Sequence, residues 1–372
     1  MKPIGVMGNA PLMPATFPML TSENFGNMVH ANAPFKMFRN CVYIRDDISK
    51  YGDESFINFL NNKCSHLIIT LANTLKPNDP DHKKYTDLSS FIDKVKVPIV
   101  IFGLGVKHST EPSDKLNSSA VEFLNLLGQK TATLGVRGEI TKKIILRDSN
   151  VKNVTVTGCP SFYTNPKALF GIQDKVSRIR NGKHSFSATD YKKNSEINLL
   201  MDAINSNSFI LDPSNKFTHQ YYLNCIKARE DEQIQPPYFL KAKKLAEKNI
   251  SINKLKTIFQ KNYRLFRNLD DWYNFNNEAI DFTYGTRFHV NMASILCGIP
   301  ALWITHDDRT REMTSLFSLP SVPLLEAEKL NKQELIERVD YAKMIADLPQ
   351  LFDRFNDYLN EHKLTKIKYE AT

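Results

Sequence analysis

Between Tyr284 and Met313 the chain gathers Arg287, His289, His306, Asp307, Asp308, Arg309 and Arg311 around a short apolar run. A guanidinium forks onto a carboxylate or a phosphate, and a histidine beside a bound dianion gains basicity. Arg287 and His289 therefore suit an anionic substrate whose reaction needs one acid near neutral pH. Two positions apart, they face one way on extended chain and nearly opposite ways on a helix, so both are expected at the exit of a strand. The competing reading is an Arg287 paired with a scaffold carboxylate and a His289 hydrogen-bonded in a turn. Two residues alone favour that plainer account.

The elements that would position them are a strand from Ala279 to Tyr284, a sharp turn at Gly285-Thr286 and a helix from Asn291 to Cys297 stopped by Gly298. Pro300 then opens a strand from Ala301 to Thr305. Loops at this edge of an open α/β sheet are where ligands bind. The helix starts after Gly285 and His306 would add free N–H groups and a positive dipole end. Asp307 and Asp308 are tempting bases, yet aspartate at a helix start is more often a cap.

The 372 residues are long for one core and comfortable for two, and 42% hydrophobic with 24% charged residues is the balance of a globular chain. A net charge of +9 points to anionic partners without choosing among phosphorylated small molecules, acidic glycans, lipid and nucleic acid. Nucleic acid is the least favoured, because no helix-turn-helix or aromatic RNA-binding signature is present. Five scattered cysteines without C-x-x-C spacing fit a reducing compartment, with Cys159 and Cys297 as small buried hydrophobes. No metal site is implied by spacing, and the prolines near the N-terminus make a poor signal-peptide core. A cytoplasmic protein without a membrane span is expected.

Elsewhere, strands alternate with helices, which predicts doubly wound parallel sheets. Residues 1–166 and 182–330 are expected to form two Rossmann-like domains. Residues 331–372 read as closing helices, Lys332 to Ala346 and Leu348 to Leu359, that cross back to the first. Gly103-Leu104-Gly105 follows a buried strand and would let backbone approach a ligand. His108 breaks the dinucleotide fingerprint and disfavours a nicotinamide enzyme. Arg137, at the end of a strand, either faces the cleft or pairs with Glu139 or Asp148. Residues 238–267 carry a basic amphipathic pattern that either meets an anionic membrane surface or is a solvated face packed on the second domain, the commoner outcome.

Gly285-Thr286-Arg287-Phe288-His289, Gly298-Ile299-Pro300 and His306-Asp307-Asp308-Arg309-Thr310-Arg311-Glu312, in that order, resemble the C-terminal signature of the polysaccharide pyruvyl transferase family. Leu134 to Ser161 is similar to the family as well, although Cys159 stands where many members carry Asp. Asn27 likewise replaces the Asp of an N-x-G-D turn. The resemblance implies a GT-B-like pair of domains facing across a cleft. It implies transfer of pyruvate from phosphoenolpyruvate, as a ketal, to a sugar of a cell-surface or capsular polysaccharide or its lipid-linked precursor. On that reading His289 is the acid, and Arg287, Arg309, Gly285, Thr286 and His306 bind the donor. Arg137, Gly103, Gly105 and Asn27 are candidate cleft residues, phosphoenolpyruvate is a co-substrate, and neither cofactor nor metal is needed. The rivals are a nucleotide-sugar glycosyltransferase on the same fold and a non-catalytic glycan or lipid-carrier binder.

Overall fold

The apolar runs become parallel strands buried on both faces. A computed structural model describes residues 2–18, 23–44, 54–107, 114–229 and 232–369, so His108 lies outside the described residues. In the first half these strands are β1 (Ile4–Gly8), β2 (Cys41–Tyr43), β3 (His66–Thr70), β4 (Ile99–Phe102), β5 (Leu134–Val136) and β6 (Val154–Val156). The order β2-β1-β3-β4 is continued by the β5-β6 pair through a single parallel bridge, Leu104 to Val136. Val100, Ile101 and Phe102 are almost wholly buried, as expected of a central parallel strand with helices on both sides.

The second half holds β7 (His184–Ser187), β8 (Phe209–Leu211), β9 (Tyr263–Arg264), β10 (Phe282–Gly285), β11 (Ala301–Thr305) and β12 (Ser321–Pro323), in the order β12-β11-β10-β7-β8-β9. Every described pairing is parallel. Each sheet is doubly wound, so each has one point where neighbouring strands connect in opposite directions: between β1 and β3 in the first, between β7 and β10 in the second. Ligands bind beyond the carboxyl ends of the strands at such points. Asn9, Leu71 and Ala72 follow the first pair and Arg287 follows β10, and all of them line one cavity. The fold is therefore two Rossmann-like α/β units facing a shared cleft, the GT-B-like arrangement.

Several elements differ from the sequence expectation. The strand before Gly285 starts at Phe282, because Ala279 ends a helix, Leu269–Ala279. The helix after it begins at Phe288 rather than Asn291. The two closing helices are instead a short one, Lys332–Ile336, and one long one, Ala342–Glu361, that runs through Pro349. Proline there removes one backbone hydrogen bond. The buried stripe of Met344, Leu348, Leu351, Phe352, Phe355 and Leu359 keeps the helix on its course.

Residues 238–267 fold as the helices Ala242–Glu247 and Ile252–Asn262 leading into β9. Leu245, Leu255 and Phe259 are buried, and several of the cations have partners within the fold. Lys248 pairs with Asp202 at 2.8 Å, Lys254 donates to Asn205 at 2.7 Å, and buried Lys256 donates to the Glu232 carbonyl at 2.9 Å. No described helix is long and apolar enough to cross a membrane.

The long helix packs on the first sheet. The Tyr358 hydroxyl donates to the Ile101 carbonyl at 2.6 Å, and Tyr163 stacks on Phe355 with ring centroids 4.1 Å apart. Just past the helix end, His362 Nε2 lies 3.1 Å from the Thr133 carbonyl and its own carbonyl accepts from His66 at 3.1 Å. Burial, helped by the neighbouring His66, pushes the His362 imidazole down to about 4 from 6.5. An imidazole with a lowered folded-state pKa leaves the unfolded chain binding more protons between those values, so its stabilisation is complete above pH 6.5 and is lost as pH falls toward 4. That linkage amounts to as much as about 3 kcal/mol at one pKa unit per 1.36 kcal/mol. In thermal melts, the margin of the wild type over His362→Gln, whose amide still reaches a carbonyl but does not titrate, should be widest near pH 7 and close as pH falls to 4. A margin independent of pH would rule the linkage out.

Candidate active site

The cavity between the switch points has a volume of about 340 Å³, within the range of small-molecule sites. Its cations are Lys84, Arg137, Arg287 and Arg309, and no aspartate or glutamate is among its described lining residues.

Arg287 is held by both sides of the β7/β10 switch. Its residue is the extended N-cap of the helix Phe288–Ile295. From there Nε donates to the Ala188 carbonyl at 2.7 Å, and Nη2 donates to the Thr189 carbonyl at 3.1 Å and to Ser214 Oγ at 2.7 Å. Among the described residues no carboxylate pairs with it, so the scaffold-pair reading is set aside. His289 is in the first turn of the helix, not on extended chain as expected. Both side chains still line the cavity because Arg287 precedes the helix, where the helical angle between alternate positions does not apply.

Arg137 enters from the end of β5 and is 6% exposed. It pairs with neither Glu139 nor Asp148. Its Nη1 donates to Asn73 and its Nη2 to the Val106 carbonyl at 2.9 Å, while Nε has no partner. Burial and the charge of Arg309 push it down to about 10, which leaves it cationic at neutral pH. Arg309 contacts Asp307 at 3.2 Å, and its buried Nε is also without a partner. Buried donors left unpaired cost free energy until an acceptor arrives. Unpaired N–H groups on two guanidiniums at one cavity point to an anion.

The two glycines of Gly103-Leu104-Gly105 are seats. At Gly105 an added Cβ would come within 2.5 Å of Arg137 Cζ. At Gly103, whose φ is +69°, it would come within 2.6 Å of His30 Cε1. Gly103 lines the cavity, whereas Gly105 acts from behind Arg137.

Sequence reasoning missed His30, in the short helix Asn27–Ala31, and gave Cys159 only a packing role. Cys159 is 2% exposed, yet its sulfur lies 3.5 Å from His289 Nε2, 3.6 Å from His30 Nδ1 and 3.0 Å from Ser161 Oγ. Burial and the charge of Arg137 hold His30 down at about 4. Burial, His30, Arg309 and Arg137 hold His289 well below its ordinary range. Burial raises the Cys159 thiol. In the empty site all three are neutral near pH 7. Asn27 lines the same cavity, one helical turn before His30, as an amide with no charge to offer.

The other expected donor ligands fall elsewhere. Gly285 closes β10 with φ +141°, where a Cβ would sit 2.0 Å from the Ser187 carbonyl oxygen. Thr286, 1% exposed, donates to Glu196 at 2.7 Å and accepts from the Thr189 N–H. Both brace the strand exit and line neither cavity. His306 lines a second cavity of about 290 Å³ that shares Asn73, Arg137 and Arg309 with the first. Burial lowers the His306 pKa against the pull of Asp307. Asp307 caps the helix Asp308–Leu316, accepting from the Thr310 N–H at 2.8 Å. Burial alone would raise its carboxyl, but Arg309, His306 and Thr310 together hold it low. Asp308 pairs with Arg311, which reaches only the second cavity.

The fold and this site define a GT-B-like protein with a cation-lined cleft between two parallel sheets. The family model for polysaccharide pyruvyl transferases matches residues 24–308, and the chain belongs to that family. No curated protein sequence matches it significantly. Among solved structures it is similar to HepE of Anabaena, in complex with UDP and glucose, at 8% identity over 98% of both chains with a TM-score of 0.42. It is also similar to the UDP-GlcNAc 2-epimerase of Methanocaldococcus jannaschii, at 13% identity over 91% of both chains with a TM-score of 0.44. For the wall teichoic acid polymerase TagF the identity is 10%, over 97% of this chain and 87% of that one, with a TM-score of 0.39.

If Gly105 exists to seat Arg137, Gly105→Ala should displace the guanidinium and weaken the binding of a phosphate anion about tenfold in titration calorimetry, the scale of one lost charge-assisted hydrogen bond. Gly171→Ala is the control, since its Cβ would meet only the Lys167 carbonyl at 3.5 Å. Equal affinities in the two variants would separate Gly105 from the anion site.

Proposed function

We propose that the chain transfers pyruvate from phosphoenolpyruvate to two hydroxyls of one sugar, forming a ketal and releasing phosphate. The observation that carries this is a cavity lined by Arg137, Arg287, Arg309 and Lys84, with no carboxylate among its described lining residues and an imidazole facing it. Phosphoenolpyruvate brings a carboxylate and a phosphate, and two or more fixed cations match that charge without reorganising as it shifts. The same negative charge offsets the arginines that depress His289, so the donor itself makes the acid available.

In this reading His289 gives its proton to the methylene carbon of the enol, and the carbon bearing the phosphate becomes electrophilic. One sugar hydroxyl adds there, the C–O bond to phosphate breaks, and the second hydroxyl closes the ring. One proton is consumed at carbon and two are released by the hydroxyls. No carboxylate is among the described lining residues to collect them, which leaves the departing phosphate and the neutral imidazole of His30 as acceptors. The acceptor is a sugar of a cell-surface polysaccharide or of its lipid-linked precursor.

The test is phosphate release from phosphoenolpyruvate across a panel of free and lipid-linked glycosides. Release should require a sugar, fall roughly 100-fold or more in His289→Ala, and fall by a similar factor in Arg287→Ala. Consumption of a nucleotide sugar with phosphoenolpyruvate untouched would assign the cleft to glycosyl transfer. Glycan binding without any turnover would assign it to a non-catalytic role.

A further inference from the structure

His30, Cys159 and His289 come from three separate parts of the chain and meet at one wall of the cavity, with their ligand atoms all within 4.8 Å of one another. The sulfur-to-nitrogen separations, 3.6 Å and 3.5 Å, are those of two ligands sharing one ion. With about 2.3 Å to a thiolate and about 2.0–2.1 Å to an imidazole nitrogen, a tetrahedral angle sets sulfur and nitrogen about 3.6 Å apart. The donor set is soft to borderline and contains no carboxylate, which favours Zn²⁺ over the hard cations Mg²⁺ and Ca²⁺.

The surroundings are also those of a built site. Gly103 leaves the space that His30 fills, and Ser161 Oγ lies 3.0 Å from the sulfur, where it can orient the ligand from outside. His30 and Cys159 are each 2% exposed. Three protein ligands with the cavity on the fourth side leave one position for water or an exogenous group, the pattern of an open rather than a sealed zinc site.

We propose that His30, Cys159 and His289 bind one Zn²⁺-class cation whose fourth position opens into the cavity, and that an occupied site withholds His289 from the donor. The first half stands on geometry alone; the second rests on the pyruvyl-transfer reading. Binding releases the thiol proton of Cys159 to solvent and leaves the imidazoles neutral, with no change of redox state. The metal-free chain is then the transferring form, and the loaded chain is silent because its acid is a ligand.

The experiment is Co²⁺ titration of the chelator-stripped full chain. One equivalent should bind with a sulfur-to-cobalt charge-transfer band in the near ultraviolet and strong visible bands of a four-coordinate ion, and Zn²⁺ should displace it. Cys159→Ser should abolish the charge-transfer band. His30→Gln should weaken binding at least tenfold, the cost of losing a ligand being no smaller than that of losing one that only supports it. Both variants are first checked for an unchanged melting temperature. A band that persists in Cys159→Ser, or the lack of a one-equivalent endpoint in the wild type, overturns the site.

Phosphate release is measured separately, metal-free and at one equivalent of Zn²⁺. Loss of most turnover on loading, with much weaker inhibition in Cys159→Ser, is expected. Unchanged or raised turnover in the loaded wild type overturns the second half and leaves the site standing. A metal-free enzyme that never releases phosphate fails the transfer reading instead, and the cobalt spectrum still decides the site.

Discussion

Three guanidiniums around one cavity, that of Arg137 buried and those of Arg287 and Arg309 half-buried, with no carboxylate among the described lining residues, form the constraint to which the rest of the cleft answers. Like charges in a low-dielectric site repel, and each must be held by neutral groups if the site is to stay open for an anion. Carbonyls and amides provide this. Ala188 and Thr189 hold Arg287, Val106 and Asn73 hold Arg137, and the nearby acid Asp307 is already committed to a helix cap and to Arg309.

The same cations bind the halves of the molecule together. Glu312, from the helix Asp308–Leu316, accepts from the Ile140 N–H at 2.5 Å and so meets the start of the helix Glu139–Asp148 in the other half. Burial raises its carboxyl, against the pull of that N–H and of Arg137. Gly138 makes the approach possible, since a Cβ there would fall 2.0 Å from the Glu312 carboxyl carbon. The glutamate of the final signature element is thus a clasp between sheets, while the arginine three residues before it faces the cavity.

What the sequence disclosed and what it hid follow from distance along the chain. The stretch from Tyr284 to Met313 was readable because strand, turn, helix and strand are local, and Gly298 and Pro300 punctuate them. Arg287, His289 and Arg309 do meet at one cavity. Thr286 was expected at the donor site through its place in the family element, whereas its side chain donates to Glu196, 90 residues earlier. His30 gave no signal, for it sits in a five-residue helix without periodicity and meets Cys159 across 129 positions. β9 and β12 were missed for a simpler reason: the first closes a basic amphipathic run that reads as helix, and the second lies in a proline-containing stretch that reads as a connection.

The seats at residues 103 and 105 imply a particular history of substitution. Residue 105 has no left-handed backbone, and its lack of a side chain answers only to the guanidinium of Arg137. In a lineage that lost the arginine, alanine at 105 would become neutral, and once fixed it would bar the arginine's return. Residue 103 is bound twice, by its positive φ and by the imidazole it accommodates, so it should stay glycine even where position 30 changes. Across related chains, covariation should therefore tie 105 to 137 while 103 stays invariant, and that contrast separates the glycine kept for a side chain from the glycine kept for the backbone.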